Sequence, residues 1–193
     1  QDKAQQKELE FHQGVALVMK SYVFGLIADL WGDAPYSEAL KGEKGGEQNL
    51  KPDFSTQKEI YYGILSDLEK ANNLLSKGQN EYKDISSAQD ELYDGNVAQW
   101  RKFANSLALR YYMRLSIKDT DKAKEGIEGI ASNPQEYPLI LDADDDANVT
   151  YYGTSPVDSW PRNTVYDASG GSNYRRMKMC ATLVDTMQSL NDP

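Results

Sequence analysis

A chain of 193 residues can bury one good core or part of a larger one, and its 21 basic against 30 acidic side chains leave a net charge of −9. That balance argues against nucleic-acid binding, which needs clustered Lys and Arg to displace counterions. One cysteine, Cys180, excludes an internal disulfide framework or a thiolate zinc site, and one histidine, His12, excludes a centre built on two imidazoles and argues against a Ser–His–Asp triad.

The chain lacks an initiator Met, and Gln1-Asp2-Lys3-Ala4-Gln5-Gln6 already reads as helix, so it is expected to begin inside a domain and, at Leu190-Asn191-Asp192-Pro193, to end inside one. The first helix is expected over about 4–31. Val15, Val18, Met19, Tyr22, Leu26 and Leu30 share one face, and Leu17 and Phe24 fall on the other. A helix apolar on two faces is expected between neighbours, with Gly25 permitting close approach. Lys20, Ser21 and Asp29 interrupt the run Val15–Leu30, which falls short of the about 20 predominantly apolar residues a bilayer requires; a buried core helix is expected. Gly32 can close that helix in the left-handed conformation and Pro35 cannot continue it, while Asp33 favours the turn.

Residues 37–54, rich in Gly and Lys, read as a loop. A second helix is expected over about 55–76, capped by Ser55 or Thr56 with Glu59 near its N-terminus. Ile60, Ile64, Leu68, Ala71 and Leu75 form its buried stripe, and Asp67, Lys70 and Asn73 are expected outside. Residues 77–95 read as a second loop.

The third helix, about 97–117 with Asn96 as cap, carries Trp100, Phe103, Ala104, Leu107, Ala108, Tyr111 and Leu115 at helical spacing. Projection puts Arg114 inside this apolar arc and Arg110 on its edge, with Leu109 and Met113 opposite. A buried Arg114 needs a partner, and losing one costs on the order of 3–5 kcal/mol; Asp29 and Asp33 are the candidates. A fourth helix is expected over about 120–132, capped by Asp119 or Thr120, with Ala123, Ile127 and Ile130 on one face. Residues 134–173 show no helical period but carry Tyr137, Tyr151, Tyr152, Trp160 and Tyr166, too many aromatics for a disordered linker. A last helix, about 173–190, is expected to start after Ser172 and bury Met177, Cys180, Ala181, Val184 and Met187.

Two blocks carry a family resemblance. Ala28-Asp29-Leu30-Trp31-Gly32-Asp33-Ala34-Pro35-Tyr36, followed by Ser37-Glu38-Ala39, resembles the D-x-x-G-D-x-P-Y-x-E-A corner of the SusD/RagB nutrient-binding lipoproteins of the Gram-negative outer membrane. The run from Asp90 through Tyr93, Gly95, Trp100, Lys102, Phe103, Ala104, Asn105 and Leu107, continuing to Arg110, Met113 and Arg114, is similar to the block that follows it in that family. Together they cover about residues 9–117. The resemblance implies one partial SusD-like domain over 1–193, mainly α, with tetratricopeptide-like helical repeats in 4–132 and a long loop-rich segment in 134–173; no strict 34-residue repeat is present. Within these blocks Asp29, Gly32, Asp33, Pro35, Tyr36, Trp100, Asn105, Arg110 and Arg114 are read as structural.

SusD-like proteins bind glycans through aromatic arcs, so the resemblance points to the aromatic loop. Trp160 leads the candidates, with Tyr151, Tyr152 and Tyr166, since flat rings stack on sugars and their polar tips hydrogen-bond. Packing of the loop onto the helices is the competing reading for each ring. Asp142-Ala143-Asp144-Asp145-Asp146-Ala147-Asn148 offers oxygens at positions 1, 3 and 5 of a calcium loop, but Ala147 and Gly153 stand where an EF-hand needs Gly and Glu. A solvated acidic loop is the default, calcium the alternative, and no other cofactor is expected. Nothing marks a catalytic residue: no phosphate cradle or nucleophile elbow occurs, and no two of the 30 acids stand out as a glycosidase pair.

The resemblance implies a surface lipoprotein, no enzyme, that captures a glycan or peptide nutrient and passes it to a TonB-dependent, SusC-like barrel. Its lipidated cysteine would lie at an N-terminal anchor upstream of this chain, not at Cys180. The rivals are a tetratricopeptide-type protein scaffold, which would expose a concave helix face, and a helical glycoside hydrolase, which would set two acids across a cleft.

Overall fold

A computed structural model describes residues 3–82, 90–152 and 179–191, with the side chains of the first helix from Leu9 onward. The fold is mainly α. In chain order it comprises α1 (Lys3–Trp31), β1 (Ala34–Pro35), the one-turn α2 (Glu47–Leu50), β2 (Phe54–Ser55), α3 (Gln57–Leu74), α4 (Val97–Leu115), α5 (Thr120–Ser132) and α6 (Ala181–Ser189). Packing divides the chain into two compact units, 1–147 and 148–193.

In the first unit α1 packs on α3, α3 on α4 and α4 on α5, with α1 also reaching α4. Local chemistry starts each helix. The Thr56 hydroxyl accepts from the Glu59 amide while the Glu59 carboxylate accepts from the Thr56 amide at 2.7 Å, a complete capping box. Asn96 Oδ1 accepts from the Gln99 amide at 3.2 Å and Asp119 Oδ1 from the Lys122 amide at 3.3 Å. At the end of α1, Gly32 adopts φ 76° and its amide donates to Ala28 O at 3.0 Å. Asp33 then accepts from the Gln57 amide at 2.8 Å, tying the corner to the head of α3. The loop expected over 37–54 holds more structure than its composition suggests: α2 lies within it, and β1 and β2 pair antiparallel around it, Ala34 with Ser55 and Pro35 with Phe54.

The α3 stripe Ile60, Ile64, Leu68, Ala71 and Leu75 is buried as expected. The face expected for α1 is buried only in part, at Val18 and partly at Val15. Its buried seam is Phe11, Gly14, Val18, Ser21, Phe24, Gly25 and Ala28, while Met19, Tyr22, Leu26 and Leu30 are exposed. Small residues alternate with Phe11, Val18 and Phe24 in this seam where neighbouring side chains enter it: Leu75 lies against Gly14, and the Tyr111 ring against Gly25. The buried Ser21 hydroxyl donates to Ile64 O at 3.3 Å, and its own carbonyl accepts from the Tyr111 hydroxyl at 3.1 Å. Leu9–Trp31 has the length and hydropathy to cross a membrane, yet this seam and the Lys20–Asp67 ion pair at 2.8 Å make it a helix packed on one side.

Asp67, expected outside, is buried, because Lys20 Nζ and the Tyr36 hydroxyl, at 2.8 and 3.2 Å, both donate to its Oδ2. Burial, then the Asp67 charge, pushes the Tyr36 pKa upward. Asn72, also buried, accepts from Arg101 Nε at 2.8 Å and from Asn105 Nδ2 at 3.1 Å. In the second unit, Met179 and Cys180 are non-helical and α6 begins at Ala181, so the start expected near 173 is too early. Cys180 and Ala181 are exposed rather than buried, and Val184 and Met187 are half-buried. Met177 lies outside the described residues.

Asp90 organises the turn before α4. Its carboxylate accepts from the Leu92, Tyr93 and Gly95 amides and from Trp100 Nε1, the last at 2.6 Å. Burial alone would raise its pKa; the hydrogen bonds, that from Trp100 foremost, outweigh burial and lower it. A lowered folded pKa adds stability that is present above the unfolded value, about 4, and is lost as pH falls through the folded value. The melting temperature of Asp90→Asn is therefore expected to lie below that of the parent at neutral pH, with the gap narrowing in a thermal-melt series taken to acid.

Candidate functional site

The corner at the end of α1 opens onto a cavity of about 560 Å³. Asp29 from α1, Lys58, Tyr61 and Tyr62 from α3, Arg114 from α4, and Lys118 and Asp119 from the turn before α5 line it. Arg114 pairs with Asp29, not Asp33, and Asp29 also accepts from the Tyr61 hydroxyl. Asp119 accepts from the Tyr62 hydroxyl and pairs with Lys58 Nζ at 3.7 Å, which sits 5.2 Å above the Tyr62 ring. The Tyr62 hydrogen bond is the main cause of a lowered Asp119 pKa.

The projection that buries Arg114 needs correction. Its side chain is 42% exposed: its neighbour Leu115 stays buried in the core, while the guanidinium reaches out to pair with Asp29. Solvent screens such a pair. Arg114→Ala is expected to cost about 1 kcal/mol in urea unfolding, well short of a buried pair's loss. Arg110 is exposed, and with Met113 at 55% exposure α4 is buried on one stripe rather than two.

A second cavity, about 600 Å³, runs along that outward side of α4, between Ser106, Leu109, Arg110, Met113 and Arg114 and the segment Leu139–Leu141. Asn105 pins this segment: buried, it donates to Pro138 O at 3.1 Å, while the Ile140 amide donates to Ser106 Oγ at 3.0 Å.

Of the aromatic candidates, Tyr151 and Tyr152 belong to the second unit and are 49% and 77% exposed; Trp160 and Tyr166 lie outside the described residues. Tyr137 is half-buried, its hydroxyl donating to Glu69 at 3.3 Å. In the acidic run Asp142 accepts from the Asp144 amide at 3.2 Å, and Asp145 is buried and paired with Lys102 at 2.6 Å. Among the described residues no three carboxylate, His or Cys side chains gather as a metal centre.

Sequence reasoning does not single out Asp67, Asn72, Asp90 or the tyrosines of the corner cavity. Asn72 carries a signal, since it lies four residues after Leu68, inside the buried arc of α3. Tyr61 and Tyr62 carry none, because their partners come from α1 and from the turn before α5.

The family model for SusD-like proteins, described as starch-binding and associating with the outer membrane, matches residues 1–193. The chain belongs to the SusD-like family. The SusD-like chain is similar to a solved SusD homolog from Bacteroides fragilis, at 28% identity and a TM-score of 0.73, covering 96% of this chain and 36% of that one. It is similar to a candidate nutrient-binding outer-membrane protein from Bacteroides vulgatus, at 25% identity and a TM-score of 0.71, covering 95% and 37%. A SusD/RagB family protein from Bacteroides thetaiotaomicron matches at 33% identity and a TM-score of 0.58, covering 74% and 27%. The SusD-like chain thus spans little more than a third of the length of the first two. No curated protein matches it.

Proposed function

We propose that this chain is the helical part of a surface lipoprotein that captures a glycan or peptide without covalent chemistry and delivers it to a TonB-dependent, SusC-like barrel in the outer membrane of a Gram-negative bacterium. The observation that carries the reading is the SusD-like family match over residues 1–193. An N-terminal lipid outside these residues would anchor the protein, and tethering raises the local concentration of captured ligand at the barrel, so moderate affinity suffices. The exposed Tyr151 and Tyr152 are available to a ligand, and Trp160 and Tyr166 are their proposed companions.

The corner cavity supports binding over catalysis. A glycosidase needs one carboxylic acid with a raised pKa. Of the two carboxylates there, Asp119 is held low by Tyr62, and Asp29 is committed to Arg114 and Tyr61.

The test is a glycan and peptide array probed with the full-length protein, with Trp160→Ala beside it. Binding to one ligand class without turnover, weakened in the variant, is the expected result. Release of hydrolysed product would overturn the reading, as would binding to no member together with failure to co-purify with a barrel.

A further inference from the structure

We infer that the outward side of α4 is a docking groove for an acidic peptide with aliphatic side chains. This names the ligand class within the capture reading above and rests on it.

Charge is the first argument. The corner cavity and the α4 groove share Arg114, and Lys58, Arg110, Arg114 and Lys118 line them together. The two carboxylates present, Asp29 and Asp119, are engaged by Arg114, Tyr61, Tyr62 and Lys58. Arg110 and Lys118 have no ion pair among the described residues. In a chain of net charge −9 this is a local reversal of sign. Arg110 and Arg114 lie one four-residue step, about 6 Å, apart along α4, and Lys118 follows in the turn after the helix, on the wall of the adjoining corner cavity. Arg114 spends one edge of its guanidinium on Asp29, and its planar fork keeps further donors for a second carboxylate.

The lining decides between a peptide and a sugar. Sugar rings bind flat aromatic faces, but the walls beside Arg110 are Leu109, Met113, Leu139, Ile140 and Leu141. Of the rings that line the corner cavity, Tyr61 is buried and Tyr62 has Lys58 above it, and no ring lines the α4 groove. Aliphatic walls beside these cations match alternating carboxylate and aliphatic side chains. The groove is also held open before any ligand arrives, since Asn105 and Ser106 fix the 138–141 wall to α4, and a preformed site avoids part of the ordering cost of binding.

The probe is a dye-labelled hexapeptide of alternating Glu and Leu, titrated by fluorescence anisotropy against the full-length protein. It is expected to bind, with affinity falling as salt rises, and its Gln-Leu counterpart is expected to bind at least about tenfold more weakly. The double variant Arg110→Gln/Lys118→Gln, which breaks no ion pair among the described residues, should keep its melting temperature and lose at least about tenfold for the Glu-Leu peptide. Equal binding of the two peptides, or an unaffected double variant, overturns the inference. So does an oligogalacturonate that displaces the peptide at lower concentration than unlabelled peptide does, because the groove then belongs to acidic glycans. If array ligands bind and the Glu-Leu peptide does not, the inference falls while nutrient capture stands. If the array and the barrel both fail, the capture reading falls, and the inference as worded falls with it.

Discussion

Trp100→Ala is expected to lower the unfolding free energy by about 3–5 kcal/mol, the range for emptying a large aromatic site. The ring is 4% exposed and meets Tyr93 edge-on at 5.4 Å and Phe103 at 6.1 Å. Its indole N–H is also the side-chain donor to Asp90, whose other partners are the amides of the turn leading into α4. Tyr93 extends the effect: its hydroxyl donates to Asp145 O at 3.0 Å, and burial pushes its pKa to about 12. Losing Trp100 therefore empties a site and loosens the turn and the acidic loop together. Trp100→Phe, which keeps a ring but removes the donor, should cost less, about 1.5–3 kcal/mol for a hydrogen bond to a charged group. Urea unfolding of the three proteins checks both figures, and a Phe variant as damaged as the Ala variant would assign the effect to Asp90 rather than to packing.

Gly25→Leu is expected to cost about 3 kcal/mol or more, since overpacking costs typically about 1–3 kcal/mol and displacing a buried hydroxyl from its partner adds about 1–3. A Cβ at that position falls on the Tyr111 ring, which is 2% exposed, stands edge-on to Tyr61 at 5.7 Å and donates to Ser21 O. Burial raises the Tyr111 hydroxyl's pKa to about 12, so it stays a donor. The sign of an alanine scan gives the sharper check. Gly→Ala inside a helix ordinarily gains about 0.5–1 kcal/mol. That gain is expected at Gly129 in α5, where an added Cβ meets nothing, and should reverse to a loss at Gly25. Thermal melts of the two alanine variants, moving in opposite directions, would confirm that α1 and α4 meet through that glycine.

Features set by neighbours along the chain are legible in the residues alone. Thr56, Asn96 and Asp119 cap where their chemistry says they should, α5 spans the expected residues, and the α3 stripe needs only a period of 3.6. The α1 face misleads for a physical reason. Counting apolar bulk favours Met19, Leu26 and Leu30, but a seam that receives Leu75 and Tyr111 must be built from Gly14, Ser21, Gly25 and Ala28. Asp67 is misplaced by a projection, which gives a direction and no neighbour, and Lys20 and Tyr36 lie 47 and 31 residues away. Arg114 shows both sides. Its need for a partner at the first corner can be read from two motifs, whereas the choice of Asp29 over Asp33 and its exposure depend on the three-dimensional path of its side chain. The corner cavity is less legible still, since its tyrosines come from a helix that belongs to neither motif.

The outer face of α1 has a thermal consequence. Tyr22 is 40% exposed, Val23 47%, Leu26 49% and Leu30 62%, on one continuous side of a long apolar helix. The attraction between such surfaces weakens on cooling and strengthens in sulfate or phosphate, which are excluded from protein surfaces. Self-association through this face is therefore expected to be weakest in the cold and in weakly salting-out buffers, and to grow on warming.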